Sequence, residues 1–218
     1  MDYCSGGDLD HLLMKQGKLS INVVKIYVSE LVLAIETLHK NNIIYRDLKP
    51  SNVVIDNEGH VLITDFGLAK QGINQQYVTK SFCGSPAYLP PEMLTKNGHT
   101  LSLDWYLLGV LMYELLTGMP PFYHDEKAQL FENIKSGSLK FPKYVSADAK
   151  DLIQKLMIKD PMKRLGSKGS QEVKNHHFFS DVNWTDVYNN YNFRKKISRR
   201  RLLRLVRQYV CKVLGLQY

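Results

Sequence analysis

The sequence predicts an α+β fold that is mostly helical and carries one small β-hairpin. Apolar residues recur every three to four positions over several stretches, which is typical of amphipathic helices. Two short β-rich runs, residues 53–55 and 61–63, are joined through Asp-Asn-Glu-Gly at 56–59, which is typical of a hairpin. The chain has 218 residues, 44% of them hydrophobic, so it can bury a sizeable core. No internal repeat or low-complexity linker divides residues 1–193.

The helical pattern begins with a short helix predicted over 8–15, which stops at Gly17. Ser20 is suited to cap a longer helix, whose apolar residues share one face: Val24, Val28, Leu31, Ile35 and Leu38. Residues 66–92 are rich in Gly and Pro and lack periodicity. They predict a long loop, and loops of that length are usually functional. Further helices are predicted over 102–116, 125–136, 146–157 and 172–179.

The basic character of the chain comes from its C-terminal end. Lys and Arg number 29 against 21 Asp and Glu, a net charge of +8. Nine basic residues and no acidic ones fall within residues 194–218: Arg194, Lys195, Lys196, Arg199, Arg200, Arg201, Arg204, Arg207 and Lys212. Residues 1–193 are therefore close to neutral, and the basicity belongs to the tail.

The tail has the pattern of a basic amphipathic helix over residues 197–216. One side of the helical projection is apolar: Leu202, Leu205, Val206, Tyr209, Val213 and Leu216. Such a helix suits an anionic membrane or a calmodulin-type partner. A solvated helix that packs on the body, and an artefactual read-through, remain open alternatives. Charge alone would permit nucleic-acid binding, but no recognition module supports a specific nucleic acid.

Cysteine usage predicts a reduced, intracellular environment. Cys4, Cys83 and Cys211 are isolated and odd in number, without the spacing of a metal site or a disulfide framework. The first residues do not form a signal peptide, because no basic region precedes an apolar run. The most apolar stretch, 106–116, is interrupted by Glu114 and is too short to span a bilayer. We expect a soluble, cytoplasmic protein, with peripheral membrane contact through the tail as an option.

Two neighbouring segments carry the residue types needed for phosphoryl transfer. Residues 45–52 are Y-R-D-L-K-P-S-N and residues 64–67 are T-D-F-G. Together they supply groups that can orient a hydroxyl, hold Mg²⁺ through oxygen atoms and balance phosphate charge. The predicted hairpin begins directly after Asn52 and ends directly before Thr64-Asp65, so the two proposed metal ligands are expected to converge.

These segments resemble the H-R-D-L-x-x-x-N and D-F-G motifs of protein kinases, with Tyr45 in place of histidine. The Lys49-Pro50 sequence in this loop is similar to that of serine/threonine kinases. Residues 81–92, S-F-C-G-S-P-A-Y-L-P-P-E, resemble the activation segment of the AGC group. The same group is indicated by D-W-Y at 104–106, P-P-F at 120–122 and D-P-x-x-R-L-G at 160–166. The resemblance implies a partial kinase domain over residues 1–184, the hinge plus the C-terminal lobe, followed by the basic tail 185–218.

The resemblance also implies a role for each motif residue. Asp47 would be the base that orients the attacking hydroxyl, Lys49 would neutralise phosphoryl charge, and Ser85 would hydrogen-bond towards both. Asn52 and Asp65 would hold Mg²⁺. The hinge would contact the adenine of ATP through the backbone of residues at the start of the chain: Met1, Asp2, Tyr3 and Cys4.

Other positions are implied to regulate or support the site. Ser81 would be phosphorylated by an upstream kinase, and its phosphate would pair with Arg46. Glu92 and Arg164 would form a buried ion pair, whose disruption costs about 3–5 kcal/mol. Asp104 would support the backbone of the 45–52 loop and would not touch substrate.

Two acidic residues, Asp8 and Glu114, are expected to receive basic residues that precede a target Ser or Thr in protein substrates. Ser51 and Ala87 stand where many basophilic relatives carry glutamates, so this preference is expected to be weakened. For Asp8, a solvated acid at a helix start is an open alternative.

Aligned to the family, the sequence begins at the hinge. Residues 1–218 contain no G-x-G-x-x-G loop and no strand-borne V-A-I-K lysine. Val23-Val24-Lys25 resembles the latter only superficially, because it lies within the predicted long helix. We therefore expect a fragment of a longer Mg·ATP-dependent kinase that is weak or inactive alone. The rival hypothesis is a non-catalytic, kinase-like binding or scaffold module.

Overall fold

The computed structural model describes residues 6–73, 79, 81–95 and 97–189. Its helices are α1 (Leu9–Gln16), α2 (Ile21–Lys40), α3 (Pro91–Leu94), α4 (Ser102–Thr117), α5 (Lys127–Ser136), α6 (Ala147–Leu156) and α7 (Ser170–Lys174). Its strands are β1 (Ile43–Ile44), β2 (Val53–Ile55), β3 (Val61–Ile63) and β4 (Lys70–Gln71). The predicted α+β, mostly helical fold is confirmed. The predicted hinge residues 1–4 and the predicted amphipathic helix 197–216 lie outside the described residues.

Side-chain caps determine where several helices begin. Asp8 accepts a hydrogen bond from the backbone N–H of His11 at 2.7 Å, and Ser20 caps α2. Ser146 caps α6 in the same way. Each cap satisfies a backbone N–H that has no partner within the helix. Gly17 ends α1 with a φ of 74°, a left-handed value that glycine adopts without strain.

Helix α4 forms the centre of the core, because it is apolar on all sides and nearly every residue of it is buried. Helices α2 and α6 pack against it. Gly109 permits the close approach of α6, since a Cβ atom at this position would lie 2.7 Å from Cγ of Met157. The central helix is thereby fixed on both sides and can support the polar residues placed at its N-terminal end.

The predicted hairpin pairs β2 with β3 in antiparallel register, with Val53 opposite Ile63. Glu30 on α2 holds it, because one carboxylate oxygen accepts the N–H of Val61 at 2.8 Å and the other contacts Nδ1 of His60. Beyond the hairpin, the Thr64 N–H donates to the carbonyl of Asn52 at 2.9 Å. Residues 52 and 64 are therefore held together at the open end of the hairpin.

Three features of the structure differ from the sequence expectations. The helix predicted over 172–179 is broken: α7 ends at Lys174, and a separate 3₁₀ turn covers His177–Phe179. The break occurs because extended His176 accepts the Phe178 N–H on its ring. The long loop predicted over 66–92 contains β4 and the start of α3. Strand β4 pairs with β1 in a second two-stranded sheet that was not predicted.

No helix within the described ranges combines the length and the apolar character needed to cross a membrane.

Candidate active site

The 45–52 loop is fixed by Asp104, a fully buried residue in the first turn of α4. Its two carboxylate oxygens accept the backbone N–H groups of Tyr45 and Arg46, each at 2.9 Å. The Nε2 atom of His39 lies 2.8 Å from the same carboxylate. Arg46 has a φ of 72°, which a non-glycine residue adopts only when its surroundings hold it there. The predicted supporting position of Asp104 is thus the one the structure gives it.

Asp47 lies in a network of polar groups within this loop. The Nδ2 atom of Asn52 donates to its carboxylate at 2.7 Å and to its backbone carbonyl at 2.9 Å. Nζ of Lys49 lies 3.1 Å from the same carboxylate and 3.3 Å from Oγ of Ser85. The structure therefore brings together Asp47, Lys49 and Ser85, which were expected at the site of transfer, and adds Asn52, which was expected as a metal ligand.

Asp65 lies next to Thr64, whose N–H and hydroxyl both donate to the carbonyl of Asn52. The hydroxyl of Tyr45 donates to the carbonyl of Thr64. Burial and nearby acidic groups raise the pKa of Tyr45 well above 10, so this hydroxyl keeps its proton and remains a donor. Asp65 has a φ of 49° and accepts the Gly67 N–H at 2.9 Å. The open end of the hairpin therefore sets Asp65 beside the Asn52 backbone.

The donor set fits a hard cation. The amide nitrogen of Asn52 is turned to Asp47, which directs the amide oxygen away from that carboxylate. An amide oxygen and a carboxylate are ligands that Mg²⁺ accepts, usually together with water and substrate phosphate. Within the described ranges, no group of three or more His, Cys, Asp or Glu side chains could hold a metal ion.

Ser81 lies at the surface, and its hydroxyl accepts a hydrogen bond from the guanidinium of Arg46, the residue expected to pair with a phosphate on Ser81. Arg46 also donates from Nε to the carbonyl of Leu68 at 2.7 Å. Two further residues join this group: Oγ1 of Thr79 lies 3.2 Å from Oγ of Ser81 and accepts from Nζ of Lys70 at 3.0 Å. Sequence reasoning missed Lys70 and Thr79, because no motif spacing marks either residue.

Glu92 and Arg164 form the buried ion pair that the sequence predicted. The two guanidinium nitrogens bind the two carboxylate oxygens at 2.7 and 2.9 Å. The guanidinium also donates to the carbonyls of Ser102 and Ile158. The Arg164 side chain is fully buried, so the pair fixes the end of the 66–92 segment to the core.

Glu114 and Asp8 occupy different environments. Burial and the nearby charge of Asp10 raise the pKa of Glu114 to about 7, and the hydroxyl of Tyr88 donates to its carboxylate. Asp8 caps α1 with one carboxylate oxygen. No described residue forms an ion pair with Glu114. Each carboxylate thus has one oxygen engaged, at Glu114 by Tyr88 and at Asp8 by the His11 N–H.

A small cavity separates the 45–52 loop from the end of the 66–92 segment. Asp47, Cys83, Ser85 and Tyr88 contribute to its lining. Asp47 and Ser85 thus contribute to one concave surface.

Comparison with known proteins assigns the chain to a family. Residues 1–179 match the protein kinase domain. The chain belongs to the protein kinase family. Over 184 residues it is 47% identical to Protein kinase 2 of Dictyostelium discoideum, and the alignment covers 84% of this chain and 38% of that protein. It is 45% identical over 189 residues to the Homo sapiens serine/threonine-protein kinase Sgk2, covering 86% of this chain and 52% of that protein.

A third relative, the cAMP-dependent protein kinase catalytic subunit of Dictyostelium discoideum, is 46% identical over 189 residues. That alignment covers 86% of this chain and 29% of the relative. The resemblance to AGC-type serine/threonine kinases that the sequence motifs indicated is confirmed by these relatives. The matched part of the chain spans between 29% and 52% of the length of these curated relatives.

Proposed function

We propose that the chain provides the substrate-binding and catalytic groups of a serine/threonine protein kinase, which transfers the γ-phosphate of ATP to a protein hydroxyl. The observation that carries this proposal is the arrangement around Asp47. Its carboxylate is held by Asn52, and Lys49 lies between that carboxylate and the hydroxyl of Ser85. A carboxylate fixed in this way can accept or orient the proton of an incoming hydroxyl.

Lys49 and Ser85 complete the transfer site in this proposal. The Lys49 ammonium stabilises negative charge that develops on the transferring group, because it is already held beside Asp47. Ser85 keeps Lys49 oriented and marks the face from which substrate enters. These groups act mainly by position, and correct orientation can lower a barrier by roughly 7–11 kcal/mol.

Asn52 and Asp65 are the proposed ligands for Mg²⁺. Their oxygens would hold the ion, which would supply positive charge to offset that of the ATP phosphates. The backbone of residues 1–4 is proposed to contact the adenine. The Asn52 side chain would thus make two contacts: its nitrogen donates to the Asp47 carboxylate, and its oxygen would bind the cation.

Substrate choice, regulation and location are also part of the proposal. Glu114, with a smaller contribution from Asp8, favours substrates with basic residues before the target Ser or Thr. Phosphorylation of Ser81 by an upstream kinase strengthens its contact with Arg46 and orders the 66–92 segment. We propose a cytoplasmic protein, and contact of residues 197–216 with an anionic membrane or a calmodulin-like partner.

Phosphotransfer tests the proposal directly. Residues 1–218 lack a glycine-rich loop, so we would compare them with a chimera that adds the upstream part of the human relative. Both are assayed with Mg²⁺, labelled ATP and a basic serine peptide. The chimera should transfer phosphate, and Asp47→Asn should lower its rate by roughly 10²- to 10⁴-fold. Asp65→Ala should raise the Mg²⁺ concentration that the chimera requires.

The exposed residue Asp186 offers a matched control, because Asp186→Asn removes the same charge outside the site. Equal activity of the chimera and its Asp47→Asn variant would contradict the assigned base. Absence of both transfer and ATP binding in a folded chimera would favour the rival function, a binding or scaffold module.

A further inference from the structure

His99 is a buried histidine outside the transfer site, and its ring has an unmet hydrogen-bonding atom. The residue is only 3% exposed, and its Nε2 atom has no hydrogen-bond partner among the described residues. A buried polar group without a partner is unfavourable, because it has given up its hydrogen bond to water and gained none in exchange. The described residues contain no other buried side-chain nitrogen or oxygen in this condition, so His99 calls for an explanation.

The backbone of His99 places its ring beside the Ser81 cluster. His99 and Thr79 exchange two hydrogen bonds as an isolated antiparallel pair, with N–H···O distances of 2.9 and 3.1 Å. Residues paired in this way project their side chains to the same face. Thr79 Oγ1 on that face lies 3.2 Å from Oγ of Ser81 and within reach of Lys70. The ring of His99 is therefore directed to the same region as these hydroxyls.

Charges near His99 favour its neutral form. Burial first of all, together with the Arg46 and Lys70 cations, lowers the pKa of His99 to about 4, and the Asp104 carboxylate opposes them. The Asp104 carboxylate does not serve as a partner for His99, because it already binds the N–H groups of Tyr45 and Arg46 and contacts His39. Arg46, Lys70 and His99, which can all carry positive charge, thus lie near one another. Among the described residues, no carboxylate is available there to pair with His99.

We propose that His99 is a further ligand for a phosphate group on Ser81, which it binds as imidazolium beside Arg46 and Lys70. The inference rests on the proposed function, in which Ser81 is phosphorylated. A phosphoserine brings up to two negative charges and three acceptor oxygens. These would supply the hydrogen-bond partner that Nε2 lacks and the counter-charge that the two cations and the ring need.

Proton uptake follows from this arrangement. A dianion within about 4–6 Å raises the pKa of an imidazole, typically by about 1–3 pH units. Phosphorylation of Ser81 would therefore move the protonation of His99 from about pH 4 to about pH 6, where about half of the rings would carry the charge. Binding of the proton and ordering of the phosphorylated segment then reinforce each other. The ordered form of the phosphorylated chain is therefore favoured on the acidic side of neutrality.

The test uses residues 1–218 with phosphoserine introduced at position 81 during synthesis, compared with the unmodified chain. No kinase activity is required. NMR titration of the histidine rings reports the pKa of His99 in each form, and the exposed His177 is the internal control. We expect the pKa of His99 to rise by roughly two pH units on phosphorylation, with that of His177 unchanged. Hydrogen exchange of residues 79–92 reports ordering of the segment.

Two variants separate ligand binding from structural support. In His99→Phe the ring cannot bind phosphate, and in His99→Gln a neutral donor remains that cannot take up a proton. Phosphorylation should raise the Tm of the unmutated chain more at about pH 6 than the Tm of either variant. The variants also correct for titration of the phosphate itself near pH 6. If His99→Phe does not fold, His99→Gln retains the comparison.

The outcomes separate the role of His99 as a phosphate ligand from the role of Ser81 as a regulatory site. Ordering of residues 79–92 without a change in the pKa of His99 would overturn the inference and leave Ser81 as the regulatory site. A phosphoserine that changes neither ordering nor the pKa of His99 would overturn both. A rise in the pKa of His99, together with a pH-dependent gain in Tm that both variants lose, supports the inference.

Discussion

The 45–52 loop and residues 83–90 of the 66–92 segment line the same small cavity at the candidate active site, and they are held in different ways. Polar groups of the loop have partners inside the fold: Asp104 binds its backbone, and Asn52 and Lys49 hold Asp47. The segment is tied at its end by Glu92 and Arg164, whereas Ser81 and Phe82 lie at the surface, Phe82 being 57% exposed.

The difference separates what is fixed from what is conditional. The proposed transfer groups are pre-positioned by the core, so they need no further event to reach their places. The groups proposed for regulation and substrate contact depend on added charge, from a phosphate at Ser81 or a cation at Glu114. Changes in the buried supports should therefore affect stability first, whereas changes in the conditional groups should affect the response to pH or phosphate.

The largest effect is expected at the buried support of the segment. Glu92→Ala leaves the Arg164 guanidinium charged, buried and without its carboxylate, so the free energy of unfolding should fall by about 3–5 kcal/mol. Denaturant unfolding of residues 1–218 measures it. Glu92→Leu combined with Arg164→Met removes both charges and should recover much of the loss.

The exposed pair Lys163–Asp160 provides the control, because Lys163→Ala should change stability by less than about 1 kcal/mol. A loss at Glu92 as small as this would show that the segment is not anchored through the pair.

The next effect is expected at the support of the 45–52 loop. Asp104→Asn replaces one acceptor by a donor, so either the Tyr45 or the Arg46 N–H loses its partner. The cost should be about 1–3 kcal/mol, with faster hydrogen exchange at these two amides. Phosphotransfer by the upstream-extended chimera should fall roughly 10²-fold, because Asp47 shifts with the loop.

Asp148→Asn on the exposed face of α6 serves as the comparison for Asp104. Unchanged exchange at Tyr45 and Arg46 in Asp104→Asn would mean that other contacts fix the loop.

A smaller effect concerns Glu114 and pH. Its pKa of about 7 means that the carboxylate forms as pH rises through neutrality, so affinity for a basic peptide should increase over that range. A carboxyl with a pKa of about 7 is ionised about ten times more often at about pH 8 than at about pH 6, so KM should be roughly tenfold lower at the higher pH. Glu114→Gln, or a peptide without the basic residue, should abolish the difference.

The same group has a defined effect on stability. Because the folded-state pKa of Glu114 is raised, its contribution is complete below about pH 4.5 and is lost as pH rises through about 7. A stability profile that rises over this window because of Glu114 would contradict the assigned burial.

A last effect concerns the unphosphorylated form of His99. Its folded-state pKa of about 4 lies below the ordinary value of 6.5. The unfolded chain therefore binds a proton before the folded chain does, and the stability present above about pH 6.5 is lost as pH falls towards 4. Urea unfolding at several pH values should show a shallower acid slope in His99→Gln. An identical slope would mean that His99 is already protonated in the folded chain.

Much of this architecture follows from local sequence signals. Ser20 and Ser146 mark helix starts, and the runs at 53–55 and 61–63 enclose a turn, so these elements could be predicted from neighbours in the chain. The pairing of β1 with β4 could not, because each strand has only two residues and lies far from its partner. The break at His176 depends on its own ring and on Asp151, a tertiary contact.

The candidate site shows the same division. The grouping of Asp47, Lys49 and Asn52 is visible in one loop of the sequence. The contacts around Ser81 could be predicted only in part, because Thr79 pairs with His99 through backbone hydrogen bonds, and no periodicity in the sequence predicts that pairing. Cross-chain pairs of this kind depend on how the segment folds back on the core.

The left-handed backbone of Arg46 limits how far the 45–52 loop can be separated from its fold. This conformation costs a non-glycine residue roughly 1–3 kcal/mol. The two hydrogen bonds that the Asp104 carboxylate accepts from the loop backbone offset that cost. An isolated peptide with the sequence of residues 45–52 would relax to another shape. Transplanting the motif into an unrelated scaffold would therefore require a buried acceptor like Asp104 on a rigid helix, as well as the eight residues themselves.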